Sequence, residues 1–258
     1  MKNRINTLFE GKDRNILSVY FTAGFPSLSD TRPILKHLQD AGADMVEIGM
    51  PFSDPVADGP VIQRSNEQAL ANGMTLDVLF SQLEGLRDEI HIPVVLMGYI
   101  NPVLRYGMDR FLKQCSEKEI DGIILPDLPV AEYRQHYSGM FEEAGIHKVF
   151  LITPQTSVER INMIDSISHG FIYMVSSSST TGKQNESNDV TESYFSRISE
   201  MQLNNRRIIG FGIHDHATFS NACNYASGAI IGSAFIRMLS DSQNLEQDIH
   251  AFVASVKK

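Results

Sequence analysis

The chain predicts a (β/α)8 barrel, and three observations lead there. Eight short apolar runs alternate with amphipathic stretches along 258 residues, close to the roughly 250 residues that such a barrel occupies. The runs are nearly continuous in Val, Ile, Leu, Met and Phe, the pattern of parallel strands covered on both faces. No G-x-G-x-x-G follows the first run and no switch-point crevice can be located, which sets a doubly wound open sheet behind the closed barrel. The expectation is one TIM-barrel domain over 1–258, with an extra N-terminal helix and added helices.

The elements follow in order. Residues 1–12 read as a short helix, because Ile5, Leu8 and Phe9 fall at i, i+3, i+4 and Gly11 ends it. Strand one covers 16–22 and breaks at Gly24-Phe25-Pro26. Ser29 and Asp30 cap a helix over 31–40, with Ile34, Leu35 and Leu38 on one face. Strand two is 45–48. Pro60 suits a helical first turn and opens a helix to 71. Leu76, Leu79, Leu83 and Leu86 keep register through a second helix, 75–89. Strand three is 93–97, followed by a loop at 98–102 and a helix over 108–119. Strand four, 122–125, stops at Pro126-Asp127-Leu128-Pro129 before a helix over 131–143. Strand five is 149–152. Ser157 caps a helix over 158–166, and strand six is 171–175. The stretch 176–189 is rich in Ser, Thr, Gly and Asn and is the longest without apolar periodicity; such segments are commonly functional. A helix over 191–201, strand seven at 207–210, a helix over 215–225, strand eight at 229–231 and helices over 234–239 and 245–256 complete the chain.

Composition excludes some functions. A formal net charge of −9 argues against nucleic acid as the main partner. An anionic substrate would need a local site of backbone N–H groups or a few cations. Cys115 and Cys223 are far apart and read as free thiols in a reducing compartment. The first 15 residues lack the apolar core of a signal peptide, and no apolar run approaches the roughly 20 residues of a membrane span. A cytoplasmic protein is expected.

In such a barrel the chemistry sits at the strand C-termini. Strand one supplies Tyr20 and Thr22 there, strand three Tyr99 and Asn101, strand four Asp127, strand six Tyr173. Strand two supplies Glu47, and its exit loop supplies Asp54 and Asp58. A Glu inside an apolar strand contradicts the strand's own logic, and such conflicts concentrate at functional or paired sites. A barrel strand has no solvent face, so burial raises this carboxyl's proton affinity, which suits general acid/base work. Asp58 has a competing role as a cap for the helix at Pro60, and Asp54 as an Asx-turn residue. Gly210, Gly212 and Gly232-Ser233 leave N–H groups free near helix starts after strands seven and eight, where barrels often hold phosphate. His214-Asp215-His216 lies at a helix start and reads as a solvated cap, and no other cluster has metal-ligand spacing, so no metal is expected.

The segment Glu47-Ile48-Gly49-Met50-Pro51-Phe52-Ser53-Asp54-Pro55-Val56-Ala57-Asp58-Gly59-Pro60-Val61-Ile62-Gln63 closely resembles the signature of the tryptophan synthase alpha chain family. The likeness extends through Thr22-Ala23-Gly24-Phe25-Pro26, Met97-Gly98-Tyr99-Ile100-Asn101-Pro102, Pro126-Asp127-Leu128-Pro129, Tyr173, Thr181-Gly182, Gly210-Phe211-Gly212-Ile213 and Gly232-Ser233, and covers essentially the whole chain.

The resemblance implies cofactor-free retro-aldol cleavage of indole-3-glycerol phosphate to indole and glyceraldehyde 3-phosphate. It assigns Glu47 to the general acid/base, Asp58 to the carboxylate that holds the indole nitrogen, and Tyr173 to the reacting centre. Tyr20 and Leu96 are expected to line the indole pocket. Gly182, Gly212, Gly232 and Ser233 match the phosphate binders, and Thr181 and Phe211 complete the substrate-binding set. The resemblance also implies a beta subunit, in an α2β2 assembly, that holds pyridoxal phosphate and consumes the indole. Loops at 51–58 and 101–106 would face that partner. One departure stands out: Ser177 and Ser179 replace the Arg and first Gly of the family's usual Ser-Arg-x-Gly-x-Thr-Gly loop, so closure of that loop is expected with altered energetics. Two other readings are open. A Schiff-base barrel needs a Lys at a strand C-terminus, and neither Lys148, expected ahead of strand five, nor Lys183 fits. A catalytically weak barrel that mainly activates the beta subunit is opposed by the intact Glu47, Asp58 and Tyr173.

Overall fold

The computed structural model describes residues 3–55, 58–175 and 187–258. Eight parallel strands close into a barrel in sequence order: β1 (Ile16–Thr22), β2 (Met45–Gly49), β3 (Val94–Met97), β4 (Gly122–Ile124), β5 (His147–Ile152), β6 (Phe171–Val175), β7 (Arg206–Gly210) and β8 (Gly228–Ile231). The helices are α1 (Arg4–Gly11), α2 (Thr31–Asp40), α3 (Pro60–Ala71), α4 (Leu76–Gln82), α5 (Ile100–Tyr106), α6 (Met108–Glu117), α7 (Val130–Glu132), α8 (Ser138–Ala144), α9 (Val158–Ile167), α10 (Ser187–Glu200), α11 (His216–Cys223), α12 (Ser233–Asp241) and α13 (Leu245–Val256). Among the described residues no helix is long and apolar enough to cross a membrane. Cys115 and Cys223 are buried, unbridged thiols.

Register sorts the strand residues onto two faces. Tyr20 pairs with Glu47, Glu47 with Val95, and Gly49 with Met97. Partners on adjacent strands share a face and neighbours along a strand alternate. Ser18, Tyr20, Glu47, Val95 and Met97 therefore face the barrel interior, and Ile48, Leu96 and Ile123 face the helices. Phe21, Phe80, Phe111, Phe141 and Phe235 are among the large side chains fully buried in the core.

The strand N-terminal end is stitched by charge and closed by α1. Asp121, only 2% exposed, accepts from Arg87 Nη2 at 2.5 Å, from Arg4 Nη1 at 3.3 Å and from the Val94 N–H at 2.9 Å. Asp44 holds Lys12 at 2.7 Å and Lys257 at 2.9 Å while accepting from the Leu17 N–H at 2.8 Å. Ile5 of α1 seals the floor: a Cβ added at Gly122 or Gly170 would come within 3.1 or 3.0 Å of its side chain.

Several boundaries differ from expectation, each for a physical reason. The helix expected over 75–89 stops at Gln82, because Gly85 takes a left-handed turn (φ 58°) before a single 3-10 turn at Leu86–Asp88. Of the loop expected at 98–102, residues 100–102 are instead the start of α5, with Pro102 tolerated in its first turn. What nucleates α5 is remote in sequence: both carboxylate oxygens of Asp127 accept from the Ile100 N–H, at 2.9 and 3.1 Å. Asp30 makes no side-chain cap to α2; its carboxylate accepts from the Ser27 N–H at 3.0 Å in the preceding turn. The helix expected over 131–143 contains a wide π turn, Tyr133–Tyr137, and Tyr133 packs edge-on against Phe141 and Phe150. β5 starts at His147, so Lys148 lies inside it rather than ahead of it. Lys148 pairs with Ile123 on the helix-facing side and donates to the Val149 carbonyl at 2.8 Å, away from the barrel interior. The loop expected over 176–189 falls mostly outside the described residues, and α10 begins at Ser187, earlier than the expected 191.

Candidate active site

Glu47 occupies the middle of β2 and is completely buried. Its Oε1 accepts from Ser18 Oγ at 3.2 Å, and its Oε2 has no hydrogen-bond partner. Burial, opposed only by the Ser18 hydrogen bond, pushes its pKa from 4.5 up to about 8. At pH 7 the group is therefore a neutral acid with a proton to give. Interior charge without a partner is costly, and the fold meets this by keeping the group protonated.

Asp58 lies at the far end of the loop after β2. The alternative role as a helix cap is not used: the N-cap of α3 is Gly59, without a side-chain bond, and Pro60 opens the helix. The polar groups of Tyr99 and Asn66 instead lie close enough to Asp58 to moderate the upward push of burial on its pKa. Tyr99 is buried and stacks on Phe52, ring centroids 5.4 Å apart. Asn66 is a polar residue on the buried side of α3, and its Oδ1 is unpartnered. Gln63 Nε2 donates to the Asp58 carbonyl at 2.8 Å and fixes the backbone there.

Two tyrosines bridge the acids. Tyr20, beside Glu47 on β1, lies within electrostatic reach of Asp58, Glu47 and Tyr99. Tyr173 of β6 feels Glu47, Tyr20 and Asp58. Burial drives both phenols above their ordinary pKa, so both stay neutral donors. Each ring lies across a glycine. A Cβ at Gly49 would be 2.1 Å from Tyr20 Oη, and one at Gly210 would be 2.1 Å from Tyr173 Oη. These two glycines are where the barrel makes room for its aromatic site.

The exits of β7 and β8 are neighbouring backbone turns. Phe211 and Gly212 take positive φ (70° and 75°), turning the chain at the end of β7. Gly232 caps α12 without a side chain, and Ser233 is its first residue, leaving first-turn N–H groups for an anion. Gly232 also lies against the Tyr20 ring.

Glu47, Asp58, Tyr173 and Tyr20 thus gather at one end of the barrel, with Phe211, Gly212, Gly232 and Ser233 at the strand ends beside them. Leu96 does not join them: it pairs with Ile48 on the helix-facing side, and Met97, paired with Gly49, is the interior residue at the C-terminal end of β3. Strand alternation from Glu47 across the pair corrects that assignment. Thr181 and Gly182 lie outside the described residues. Asp54 is exposed and bonded to Ser53, as a loop residue would be. Asp215 accepts from the Thr218 N–H at 2.9 Å and caps α11, so His214-Asp215-His216 is a helix start. Among the described residues no group of three or more His, Cys, Asp or Glu could hold a metal ion.

A family model described as "Tryptophan synthase alpha chain" matches residues 8–258. The chain belongs to the tryptophan synthase alpha chain family. Its similarity to the alpha chain of Christiangramia forsetii is 52% identity over 99% of this chain and 98% of that one. For the alpha chain of Flavobacterium johnsoniae it is 53% over 99% and 100%. Among solved structures, the alpha chain from Legionella pneumophila superposes with a TM-score of 0.88 at 31% identity, covering 100% of this chain and 97% of that one. Tryptophan synthase from M. tuberculosis in its aminoacrylate-bound form gives 0.86 at 27%, covering 99% and 98%.

The structure adds Ser18, Asn66 and Tyr99 to the surroundings of the two acids. Ser18 was legible, since it alternates with Tyr20 on the interior face. Asn66 was signalled by Ser65-Asn66 interrupting the buried side of α3. Tyr99 stands at a strand exit in the sequence, but its approach to Asp58 joins two loops and leaves no local trace.

Proposed function

We infer that this chain is a lyase that cleaves indole-3-glycerol phosphate to indole and glyceraldehyde 3-phosphate, as the alpha subunit of tryptophan synthase. The observation that carries the mechanism is Glu47: a buried carboxyl, neutral at pH 7, with one oxygen unpartnered, set near Asp58 and two neutral phenols.

The reaction moves one proton in and one out. Glu47 delivers its proton to indole C3, turning the ring into a leaving group whose positive character rests on nitrogen. Asp58 accepts the indole N–H and stabilises that charge. The C3-to-glycerol bond then breaks, its electron pair returns to the ring, and the adjacent hydroxyl loses its proton as it becomes the aldehyde. That hydroxyl is attached to the carbon bonded to C3, so the Glu47 carboxylate is within reach to take the proton and end as it began. Tyr173 donates near the reacting centre, and Tyr20 and Met97 shape the indole pocket. N–H groups at Gly212, Gly232 and Ser233 hold the phosphate, with the Phe211 turn beside them. The family resemblance adds Thr181 and Gly182, outside the described residues, to the proposed substrate-binding set.

The partner we propose is a tryptophan synthase beta subunit, in an α2β2 assembly, carrying the pyridoxal phosphate that acts on the released indole. The loop at 51–58 and α5 form the contact face, and Leu104 on α5 is a large apolar residue left 47% exposed. The test is indole release from indole-3-glycerol phosphate, with and without the beta subunit. Release in both, faster with the partner, is expected. No release in either, with activation of the beta subunit intact, would leave this chain as an activator only.

A further inference from the structure

Ser18 is a polar residue in the barrel interior that the chemistry above does not use. It lies on β1 two residues before Tyr20 and shares its face. Its cross-strand partner is Met45, whereas that of Tyr20 is Glu47, so the hydroxyl sits one layer deeper in the barrel than the carboxyl it reaches. It is 0% exposed. Its Oγ is 3.2 Å from Glu47 Oε1, and Oε2 has no partner.

We propose that Ser18 is a positioning residue for the general acid, claiming Glu47 Oε1 from below and so assigning the transferable proton to Oε2. The inference rests on Glu47 being the acid. The two oxygens of a free carboxyl are equivalent, and a hydrogen bond donated to one makes it the less basic. If the proton sat on Oε1, Ser18 would have to accept it, and its own O–H would be left without its bond to Glu47 in a buried layer, which is costly. With the proton on Oε2, the Ser18 O–H bonds to Oε1 before transfer and to the charged carboxylate after it. The same bond therefore orients the acid and stabilises its conjugate base, countering part of the rise that burial imposes on Glu47. A side chain without a hydroxyl would leave both oxygens unheld, the acid weaker and its proton undirected.

The experiment compares Ser18→Ala and Ser18→Thr with wild type in indole-3-glycerol phosphate cleavage, as full pH profiles from about pH 6 to 10. Wild-type kcat/KM is expected to fall as pH rises through about 8, where Glu47 loses its proton. In Ser18→Ala this limb moves up by about one unit, and kcat drops roughly tenfold while KM stays within about threefold, since ground-state binding is untouched. Ser18→Thr keeps the hydroxyl and restores the wild-type limb. An unmoved limb in Ser18→Ala overturns the proposal, whether kcat is retained or is lost equally in both variants, because a filler would behave that way. Glu47→Gln separates the two layers of argument: if it is inactive and the Ser18→Ala limb is unmoved, only the role of Ser18 falls; if it cleaves normally, the assignment of the acid falls first.

Discussion

Replacing Glu47 by Gln removes a titration and keeps the shape, so it tests the buried acid through stability as well as rate. In the folded protein the carboxyl loses its proton near 8, and unfolded near 4.5. The folded pKa is the higher one. Below 4.5 both states are protonated and the group costs nothing. Between 4.5 and 8 the native state holds a proton that the unfolded chain has released, so stability falls as pH rises, by about 1.4 kcal/mol per unit. Above 8 the fall stops, after about 5 kcal/mol in all. The amide in Glu47→Gln does not titrate and has no such dependence. The stability of this variant relative to wild type should therefore rise by about 2–3 kcal/mol between pH 5 and pH 7. Other titrating groups, such as His147, whose pKa burial lowers to about 4, cancel in the difference. Urea denaturation of both proteins at pH 5, 6, 7, 8 and 9 gives the measurement. Parallel curves would refute the reasoning, because they would mean that the carboxyl is hydrated or charged in the native state. The same variant should lose indole release by roughly 100-fold or more, with substrate affinity changed tenfold or less. Wild-type turnover would remove Glu47 from its role whatever the stability data show.

Asp58→Asn removes a charged acceptor and should lower kcat/KM by roughly 10- to 100-fold; steady-state kinetics showing less than a twofold change would exclude it from holding the indole nitrogen. Asp127→Ala deletes the carboxylate that caps α5 and should cost about 1 kcal/mol in urea denaturation, with weaker binding to the beta subunit in titration calorimetry. Unchanged partner affinity would mean that α5 is not a contact element. Asp121→Ala removes the carboxylate that neutralises Arg87 and accepts from the Val94 N–H at the barrel floor, leaving the Arg87 charge held by the Glu119, Ile90 and Ile92 carbonyls, and should cost about 3 kcal/mol, with kcat/KM per folded molecule unchanged. A loss below about 1 kcal/mol would show that water replaces the carboxylate there.

Legibility in the sequence followed the range of the interaction. The strands were readable because parallel barrel strands are apolar throughout, and Glu47 was readable because it breaks that rule. Alternation from Glu47 is a local argument, so it also contains the correction of Leu96 to Met97 once the β2–β3 pairing is known. Helix α5 was hidden because its cap, Asp127, is 27 residues away. The break at Gln82 was hidden because the leucine periodicity runs on through a left-handed Gly85. Lys148 was misplaced for a different reason. A Lys does not look like part of a strand, and its carbonyl partners, the ring of Phe150, 4.8 Å from its Nζ, and the charge of Asp127 make it tolerable there.

The two ends of the barrel handle buried polarity in opposite ways, and the contrast bears on how the site is sustained. At the strand N-termini, Asp44 and Asp121 each meet at least two cations and a backbone N–H, so charge is neutralised where it lies. At the other end, Glu47 has a single weak donor and one bare oxygen. A cation beside Glu47 would make it more stable and would also lower its pKa, leaving a carboxylate with no proton to deliver to carbon at pH 7. The acid can therefore hold its proton only where the fold leaves it underserved, and the destabilisation, about 5 kcal/mol at high pH, has to be met elsewhere. The floor of the barrel is a place that can meet it, because the ion pairs there tie α1, α13 and the turn at Arg87 to the strands without touching the chemistry.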